Sequence, residues 1–583
     1  MHYTREQHIN FLDEELEKIS EDYLKLLHTE AIALLKENIV YISQFIKIEL
    51  EQHIDEDGQK KFSGSGQIIL KFKNDKGLPR KQEYLVALLL DGEMSLPKNW
   101  NNISWGNLRR HQVKFSEIHC VWQGKSDENG FLLCGFQGLS LDMAEYLIEK
   151  KLQNCVVVLG PTEPPIEYYQ NLIEIVRKDN HSEPIAKILD YDDDNCWNPQ
   201  PISSKDNPAK KIAEHIKSSD ELIVQGPPGT GKTHIMANII SELLDCNKSV
   251  LVTALTNRAL IELASKESLH RHLHSGNIYK SNISTDELSI CKGLMPIEGR
   301  NIFCSPGKLT LTTFFNSSGW AKHLDDGVPF DYVIMDEASQ ALFAMVATCK
   351  ILGKKIIWIG DQMQLPPIVA LPYETMIKKD YVNLAKGFQT LCNNLNFKSF
   401  MLTDTYRLQQ QTAKLTSLFY NIPLNSVSST DLISSNLPFL NTNGETLFIE
   451  KEMKLGKENE ESCIYTINIV NQILTEHPNL SVAVLSKFKR TVKLLQNCFL
   501  SKYGSQKNVL IETIDRVQGM TCDICIYFIP NTLFSLSLNK ELFNVATSRA
   551  KQHTLIISDK RIFNENMPIE VRKYLGNIKK IQI

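Results

Sequence analysis

Apolar residues in the first fifty positions recur at alternating steps of three and four, which is the spacing of one face of an α-helix. The first stripe consists of Ile9, Leu12, Leu16, Ile19, Tyr23 and Leu26. After a shift of phase, the second consists of Ile32, Leu35, Ile39, Ile42 and Ile46. The pattern predicts long helices over residues 9–50 that bury one face against a partner helix. Two interpretations stay open: a self-contained helical hairpin, and a stalk that carries another domain.

Short β-rich runs replace the helical pattern between residue 64 and about residue 160. They read GQIILKF, EYLVALLL, IHCVWQG, FLLCGF and CVVVLG, with turn-forming Gly, Asn, Asp and Lys between them. Such runs predict a small barrel or sheet. The acidic stretch YDDDN at 191–195 is a candidate linker.

From residue 222 onward, buried strands alternate with helical stretches. The first set of strands reads ELIVQ, SVLVTAL, DYVIMD and KIIWIG, and a second set after about residue 400 reads SVAVLS, NVLIETI, DICIYFI and HTLIISD. Continuous apolar runs separated by helices are typical of parallel sheets covered on both faces. We therefore expect two α/β domains in tandem, with ligand sites at the carboxyl ends of their strands.

Composition narrows the class of protein further. The 583 residues carry a net charge of −4, which argues against a generally basic nucleic-acid coat but leaves room for a local basic groove. The 13 cysteines are odd in number and stand mostly in apolar runs, which indicates thiols in a reducing compartment. The first ten residues lack the apolar core of a signal peptide, and no apolar run is long enough to span a membrane. We expect a cytoplasmic protein, or a nuclear one if its source is eukaryotic.

The string GPPGTGKT at 226–233 lies between a predicted strand and a predicted helix. Its glycines allow backbone N–H groups to wrap phosphates, and the helix points its positive end at them. Lys232 would reach the β- and γ-phosphates, and Thr233 would bind Mg²⁺. The string predicts a P-loop that binds and hydrolyses a nucleoside triphosphate. Its residues are Gly226, Pro227, Pro228, Gly229, Thr230, Gly231, Lys232 and Thr233.

An acid pair and an amide complete the predicted phosphate site. DYVIMDEASQ at 331–340 ends a buried strand with Asp336 and Glu337. Asp336 would hold Mg²⁺ directly or through water, and Glu337 would orient and deprotonate the attacking water. IGDQMQLPP at 359–367 follows the next strand, and its Gln364 is placed to sense the γ-phosphate or to position water.

Three further strings extend the pattern: TDTYRLQQQTAKLTSLFYN at 403–421, ETIDRVQGMTCD at 512–523 and NVATSRAKQH at 544–553. In this order and spacing, the motifs resemble those of superfamily 1 helicases, subgroup B, in the Upf-type and Dna-type branch. The resemblance covers about residues 200–583. It implies two RecA-like motor domains with ATP and Mg²⁺ in the cleft between them.

The resemblance also implies roles for single residues of the second motor domain. Arg407 and Arg549 match the two arginine fingers of the family, and both are expected to come from that domain. A planar, permanently charged guanidinium suits the spread charge of a transferring phosphoryl group. Tyr406 matches the residue that stacks on adenine, while Gln518 and Gly519 match the motif that couples ATP to the strand.

Hydroxyl and amide side chains at strand ends match the family's contacts with nucleic acid. Such donors hold phosphates without reading sequence, and together they favour a single-strand track. The candidates are Thr253, Thr256, Asn257, Thr312, Thr313, Ser486, Thr513 and Gln518. The chain departs from the family pattern at Lys210, where relatives have a Gln that reads adenine, at Thr521 and at Ser486-Lys487.

The sequence therefore predicts an α/β protein with two tandem RecA-like parallel-sheet domains, preceded by a helical stalk and a small β-barrel. We expect a stalk over 1–62, a barrel over 63–165, a return helix and linker over 166–198, and motor domains over 199–400 and 401–583. The expected function is an ATP-dependent helicase or translocase on single-stranded DNA or RNA, with 5′-to-3′ polarity taken from the resemblance. The alternative is a nucleic-acid-stimulated ATPase switch that remodels complexes without unwinding. Protein partners would dock on the stalk or barrel.

Overall fold

The computed structural model describes most of the chain. The described residues are 3–54, 60–73, 78–80, 83–126, 131–150, 152, 155–178, 185, 188–189, 197–297, 301–324, 327–394, 396–440, 444–454, 459–504 and 506–582. The candidate linker at 191–195 lies outside them.

The chain begins with a long helix, Arg5–His28, and a short one, Ala31–Lys36. Thr4 and Gln7 form a capping box that satisfies backbone N–H groups at the start of the long helix. Its apolar stripe, which includes Phe11 and Leu12, packs into one core with the helix Ile166–Arg177. This helix returns after the next domain, so the two helices together form the base from which that domain projects.

Six antiparallel strands close into a barrel in the order β1-β2-β5-β4-β3-β6. The strands are β1 Tyr41–Ile54, β2 Lys60–Lys73, β3 Tyr84–Leu90, β4 Gln112–Ser126, β5 Phe131–Leu139 and β6 Val156–Pro161. Alternate residues fill the interior, as Leu85, Ala87 and Leu89 do in β3. The prediction of a barrel is confirmed.

The prediction of helix over residues 41–50 is wrong, because β1 begins at Tyr41. Tyr41, Ser43 and Phe45 are buried in the barrel wall, which is the period of two of a strand. β-branched side chains favour the extended chain, and the three-and-four spacing of isoleucines there was coincidental. The predicted boundary between residues 62 and 63 is wrong for the same reason, since all of β1 and the first three residues of β2 precede it.

The outer wall of the barrel is anchored to the N-terminal helices by two tryptophans. Val86 and Leu88 point outward from β3 and share a core with Trp100 and Trp105, and with Leu34 of the short helix. Gly160 in β6 allows this contact, because a Cβ there would lie 2.2 Å from the Trp105 ring.

A nine-stranded parallel sheet follows, in the order β11-β10-β12-β9-β13-β14-β8-β15-β7. Its strands are β7 Gln200–Ile202, β8 Glu221–Gln225, β9 Val250–Ala254, β10 Ile278–Lys280, β11 Met295–Pro296, β12 Leu309–Thr313, β13 Phe330–Met335, β14 Gly353–Gly360 and β15 Ser399–Leu402. Successive residues enter opposite cores, as Ile223 and Val224 do. Both faces are therefore covered, and we refer to this sheet with its helices as the first α/β domain.

A six-stranded parallel sheet forms the second α/β domain, in the order β20-β19-β21-β22-β18-β23. A short parallel pair precedes it, β16 Asp404–Thr405 and β17 Asn425–Ser426. The strands of the sheet are β18 Thr446–Glu450, β19 Val482–Ser486, β20 Val509–Thr513, β21 Cys522–Phe528, β22 Ala550–Ser558 and β23 Lys579–Ile581. The predicted fold class is confirmed.

The predicted boundary between residues 400 and 401 is wrong, because it divides β15. That strand pairs with β8 and β7 and so belongs to the first α/β domain. Among the described helices, none is both long and apolar enough to cross a bilayer.

Helices connect the strands on both faces of each sheet. In the barrel region they are Trp105–Arg110 and Leu141–Glu149. In the first α/β domain they are Pro208–Ser218, Lys232–Asp245, Asn257–Ala264, His270–His274, Thr285–Ile290, Phe314–Lys322, Phe343–Leu352, Tyr373–Lys378, Val382–Ala385 and Gly387–Cys392. In the second they are Gln410–Thr416, Glu460–Glu476, Lys489–Tyr503, Phe534–Ser537, Lys540–Thr547 and Ile569–Gly576.

Candidate functional site

Three loops of the first α/β domain form the floor of a cleft that faces the second. They follow β13, β14 and β8, which are adjacent in the sheet and end at the same edge. The loops carry the predicted acid pair, Gln364 and the P-loop, respectively. The cleft has a volume of about 2300 Å³, and both α/β domains and the barrel line it. A ligand at this edge would lie where open parallel sheets bind ligands.

The P-loop connects β8 to the helix Lys232–Asp245 by a backbone that requires glycine. Gly229 and Gly231 have φ angles of +75° and +78°, and Gly231 caps the helix without any side-chain acceptor for its first N–H groups. A Cβ on Gly229 would lie 2.4 Å from the Cβ of Arg407. The loop therefore leaves the positive end of the helix open to an anion.

Lys232 is enclosed at the centre of this loop. Its ammonium donates to the Gly226 carbonyl, and the Thr230 hydroxyl donates to the Pro227 carbonyl at 2.9 Å. Burial lowers the pKa of Lys232, while the negative charges of Asp361 and Asp336 oppose that shift. A cation held in this way is best satisfied by an anionic ligand.

The acid pair follows β13 directly. Glu337 has a φ of +52°, a left-handed conformation that is uncommon for a residue other than glycine, and its N–H donates to Asp336 Oδ1 at 2.8 Å. Burial raises the pKa of Asp336 to about 6. Burial, and then the charge of Asp336, raise the pKa of Glu337 to about 8. Within the described residues, Glu337 Oε2 is buried without a hydrogen-bond partner, so it is available to a ligand or to water.

Arg549 and Arg407 meet above the P-loop. Arg549 follows the helix Lys540–Thr547 of the second α/β domain, is almost fully buried, and donates from Nε to the Val545 carbonyl at 2.8 Å. Arg407 donates from Nη1 to the Ser548 carbonyl at 3.2 Å. Burial, and then the charge of Arg549, lower the pKa of Arg407 to about 9. Two neighbouring guanidinium groups repel each other unless an anion lies between them, which fits bound phosphate.

Arg407, expected in the second motor domain, lies between β16 and the helix Gln410–Thr416, in the segment that joins the two α/β domains. It follows β15 and β16, and its neighbours are fastened to the P-loop. The Tyr406 N–H donates to the Gly229 carbonyl at 2.9 Å, and the Thr405 hydroxyl donates to the Pro228 carbonyl at 2.9 Å. Arg407 is therefore held from both sides, because the residues before it are bonded to the P-loop and its own side chain is bonded to the second α/β domain.

The residues expected near the base lie at the mouth of the cleft. Tyr406 is 54% exposed and lies beside Gly231, so one face of its ring is open for stacking. Gly519 lines the cleft with a φ of +76° and open space beside it. Lys210 lies on the helix Pro208–Ser218, where its side chain is 69% exposed and reaches Glu214, and it does not line the cleft.

Gln364 joins the two α/β domains by hydrogen bonds. Its Nε2 donates to Asp361 Oδ2 at 3.0 Å, and its Oε1 accepts from Gln518 Nε2 at 3.0 Å. Gln364, which is predicted to sense the γ-phosphate, thus contacts Gln518, which is predicted to couple ATP to the strand.

The predicted track residues divide into two groups. Thr256, Asn257, Thr313 and Gln518 line the cleft, and Thr256 also caps the helix that Asn257 begins. These residues remain available to a nucleic-acid strand.

The other four predicted track residues are buried, which corrects the expectation of direct contact. The Thr253 hydroxyl pairs with Ser317 Oγ at 2.9 Å, and the Thr312 hydroxyl pairs with Ser281 Oγ at 2.8 Å. Ser486 and Thr513 are also buried. They end parallel strands, and alternate positions of such strands point into the layer between sheet and helices.

Sequence reasoning missed several residues that line the same cleft. Tyr84 and His119 are paired across β3 and β4 and stack at 5.0 Å, and Lys507 and Arg516 approach from the second α/β domain. The sequence shows a Tyr at the start of a β-rich run, but its place in the cleft depends on how the barrel packs against the two α/β domains.

The residues present fit a nucleoside triphosphate with Mg²⁺. Three cations, the partly buried Lys232 and Arg407 and the buried Arg549, surround the space beside the P-loop. No group of three or more His, Cys, Asp or Glu side chains in the described part of the chain could hold a metal by itself. Mg²⁺ requires less from the protein, because one or two ligands such as Asp336 and Thr233 suffice alongside phosphate oxygens and water.

Fold and site define a P-loop protein whose nucleotide cleft lies between two parallel-sheet domains. Two family models, each described as an AAA domain, match residues 209–370 and 385–561. The chain is homologous to superfamily 1 helicases of the Dna-type and Upf-type branch, which confirms the resemblance seen in its motifs.

The similar proteins include two fungal helicases. The DNA replication ATP-dependent helicase/nuclease DNA2 of Saccharomyces cerevisiae is 26% identical over 397 residues, which is 61% of this chain and 26% of that protein. The DNA polymerase alpha-associated DNA helicase A of Schizosaccharomyces pombe is 24% identical over 420 residues, 60% of this chain and 62% of that protein. This chain therefore spans only about a quarter of the first relative. A solved structure, the Arterivirus nonstructural protein 10 helicase, aligns with a TM-score of 0.36 and 12% identity over 83% of this chain and 79% of that one.

Proposed function

We propose that this protein hydrolyses ATP between its two α/β domains and uses the energy to move along single-stranded DNA or RNA as a helicase or translocase. The convergence of Lys232, Arg407 and Arg549 on the P-loop, opposite the acid pair, carries this proposal. A binding protein needs only the P-loop, whereas arginines around the phosphates stabilise the charge of a transferring phosphoryl group. The 5′-to-3′ polarity rests on the resemblance alone.

Each residue of the site has a distinct role in hydrolysis. Lys232 would bind the β- and γ-phosphates, and the P-loop N–H groups would wrap them. Thr233 and Asp336 would hold Mg²⁺, which neutralises phosphate charge when bound. Glu337, with its unpaired buried oxygen, would orient the attacking water and accept its proton. Arg407 and Arg549 would stabilise the developing charge, and Tyr406 would stack on adenine.

Movement would follow from closing and opening the cleft. Arg549 lies on the second α/β domain, so its attraction to the γ-phosphate would draw that domain towards the P-loop. Thr256, Asn257 and Thr313 of the first domain and Gln518 of the second line the same cleft and would hold the strand backbone. Alternating grip between the two groups would advance the strand.

The wider setting is also part of the proposal. We place the protein in the cytoplasm, in keeping with the free thiols of its described cysteines. Protein partners would bind the N-terminal helices or the barrel.

The test is the ATPase rate with and without single-stranded DNA or RNA. We expect stimulation in the wild type, and a loss of turnover of about 100-fold or more in Glu337→Gln with nucleotide binding retained, because the amide cannot accept a proton. Absence of stimulation by both polymers, or near-normal turnover in Glu337→Gln, would contradict the proposal. Strand displacement from a 5′ or 3′ overhang separates a helicase from a switch that remodels complexes without unwinding.

A further inference from the structure

The loop that follows β14 leaves the first α/β domain and enters the core of the second. Met363 is buried among residues of the second domain, including Phe419 and Phe543. Its carbonyl accepts a hydrogen bond from Asn544 Nδ2 at 2.9 Å. The loop that carries Gln364 is therefore held by the second domain as well as by its own strand.

Asp361 stands at the base of this loop and is 1% exposed. Its Oδ1 accepts from the Met363 N–H at 3.0 Å. Its Oδ2 accepts from Gln364 Nε2 at 3.0 Å and from the Tyr420 hydroxyl at 2.8 Å. A buried carboxylate with three donors is well satisfied, so its position and that of its donors are mutually fixed.

Tyr420 and Asn544 extend this network through the second α/β domain. Tyr420 is buried, and its hydroxyl accepts from Asn544 Nδ2 at 2.9 Å. Asn544 lies on the helix Lys540–Thr547, which leads directly into Ser548 and Arg549. We call the helix Lys540–Thr547 the arginine helix, because it leads into Arg549. A continuous chain of hydrogen bonds runs from this helix through Asn544, Tyr420 and Asp361 to Gln364, and from Gln364 to Gln518.

We propose that Tyr420 and Asn544 are positioning residues that couple the state of the nucleotide site to the grip on the strand. The proposal rests on the proposed function, because it assigns a route by which Gln364 and Arg549 act together on Gln518. Neither residue touches the cleft, so each acts through another side chain. Rotation of the arginine helix moves Asn544, and the donors and acceptors along the chain reorient Gln364.

The low polarity of the surroundings makes the chain act as a unit. Each hydrogen bond polarises the next, and a missing member leaves a buried partner unsatisfied. The chain contains one charge, at Asp361, and hydrogen bonds to a charged group are the stronger ones.

The test is Tyr420→Phe, which removes one hydroxyl and keeps the ring. We expect the ratio of strand-stimulated to unstimulated ATPase rates to fall about ten-fold, with the KM for ATP within about two-fold of wild type. The matched control is Tyr527→Phe, because Tyr527 is equally buried in the same domain and donates to the Ser537 carbonyl at 2.6 Å, away from the chain. Both variants should lose similar thermal stability, and only Tyr420→Phe should lose stimulation.

A double-mutant cycle with Asn544→Leu keeps the proposal testable if either variant is unstable. If Tyr420 and Asn544 act through the same series of hydrogen bonds, the loss of stimulation in the double variant should be much smaller than the product of the two single losses. Independent, multiplicative losses would overturn the proposal, as would equal stimulation in Tyr420→Phe and wild type. A wild type without strand stimulation would instead contradict the proposed function.

Discussion

At the scale of single residues, desolvation acts in the cleft on groups of both signs. It lowers the pKa of Lys232 and Arg407 and raises that of Asp336 and Glu337. Both shifts weaken the charged forms in the absence of ligand. A bound triphosphate would restore charge to the cations by direct attraction. The carboxyls of Asp336 and Glu337 would instead need the positive charge of Mg²⁺ to favour their ionised forms.

The same desolvation predicts a pH-dependent stability at His8, outside the site. Burial lowers the pKa of His8 to about 4, and its Nε2 lies 3.0 Å from the Leu189 carbonyl. Between pH 6.5 and 4 the unfolded chain binds a proton that the folded chain does not, so stability falls as pH falls. We expect His8→Gln, which keeps a donor but does not titrate, to reduce the loss of unfolding free energy between pH 7 and pH 5 by about 2 kcal/mol. Urea unfolding at both pH values checks this, and parallel pH profiles for the two proteins would disprove it.

Local strings predict the candidate phosphate-binding residues but not the residues that hold them in position. GPPGTGKT identifies Lys232 because the loop alone builds its cradle. Tyr420 is 59 positions from Asp361 and 124 from Asn544, and no local pattern links them. Such partners become visible only when the two sheets are packed together.

At the scale of elements, the long N-terminal helix is fixed to the first α/β domain by one buried carboxylate. Glu15 is buried and accepts from the N–H groups of Ala370 and Leu371, the latter at 2.9 Å. Both donors lie in the segment that follows Gln364. The helix thus holds the segment that follows the loop carrying Gln364.

We expect Glu15→Ala to lower the free energy of unfolding by about 2 kcal/mol, because it removes a buried carboxylate and leaves two partly buried N–H groups unpaired. Glu14→Ala is the matched control on the same helix. Glu14 is partly exposed and pairs with Lys379, and its loss should cost less than about 1 kcal/mol. Denaturant unfolding of the three proteins gives the comparison. Equal losses in the two variants would show that Glu15 does not anchor the helix.

Elements were predictable where one period dominated. The apolar runs of β8, β9, β13 and β14 are long enough to identify central strands. The sequence predicts a helix at β1 because a spacing of four between isoleucines fits both the helical period and the strand period of two. Burial in the barrel decides in favour of the strand. β15 was divided because its partners, β7 and β8, lie far away in the chain.

At the scale of the whole molecule, the barrel bridges the two α/β domains. It is joined covalently to the first, and Arg80 Nη1 lies 3.2 Å from Glu512 Oε1 of the second. Glu512 is buried beside the end of β20 and also faces Arg516. The contact places the barrel over the cleft, which is why Tyr84 and Trp122 help to line it. The sequence predicted the barrel but contained no signal for this docking.

The molecule carries a net charge of −4, so the proposed strand binding would depend on cations placed locally in the cleft. Lys507 lines the cleft and is exposed, whereas Lys502, five positions earlier, is exposed outside it. We expect Lys507→Ala to reduce the slope of log affinity against log salt by about 0.7 for a single-stranded oligonucleotide, and Lys502→Ala to leave it unchanged. Titrations at several salt concentrations measure both slopes. The assignment of Lys507 to the track fails if the two variants behave alike.

The attachment of Tyr406 to Gly229 makes the two arginines unequal. The residues just before Arg407 are bonded to the P-loop, although Arg407 Nη1 itself donates to the Ser548 carbonyl, whereas Arg549 lies wholly within the second α/β domain. Arg407 and Arg549 can therefore serve separate tasks, binding of the phosphates and acceleration of their cleavage, which a symmetric pair would combine. In the proposed cycle, Arg407 would stay near the diphosphate after cleavage, and withdrawal of Arg549 would end the acceleration without ejecting the product. A cleft of this design would therefore keep its product when it opens, and product release would set the timing of the next cycle.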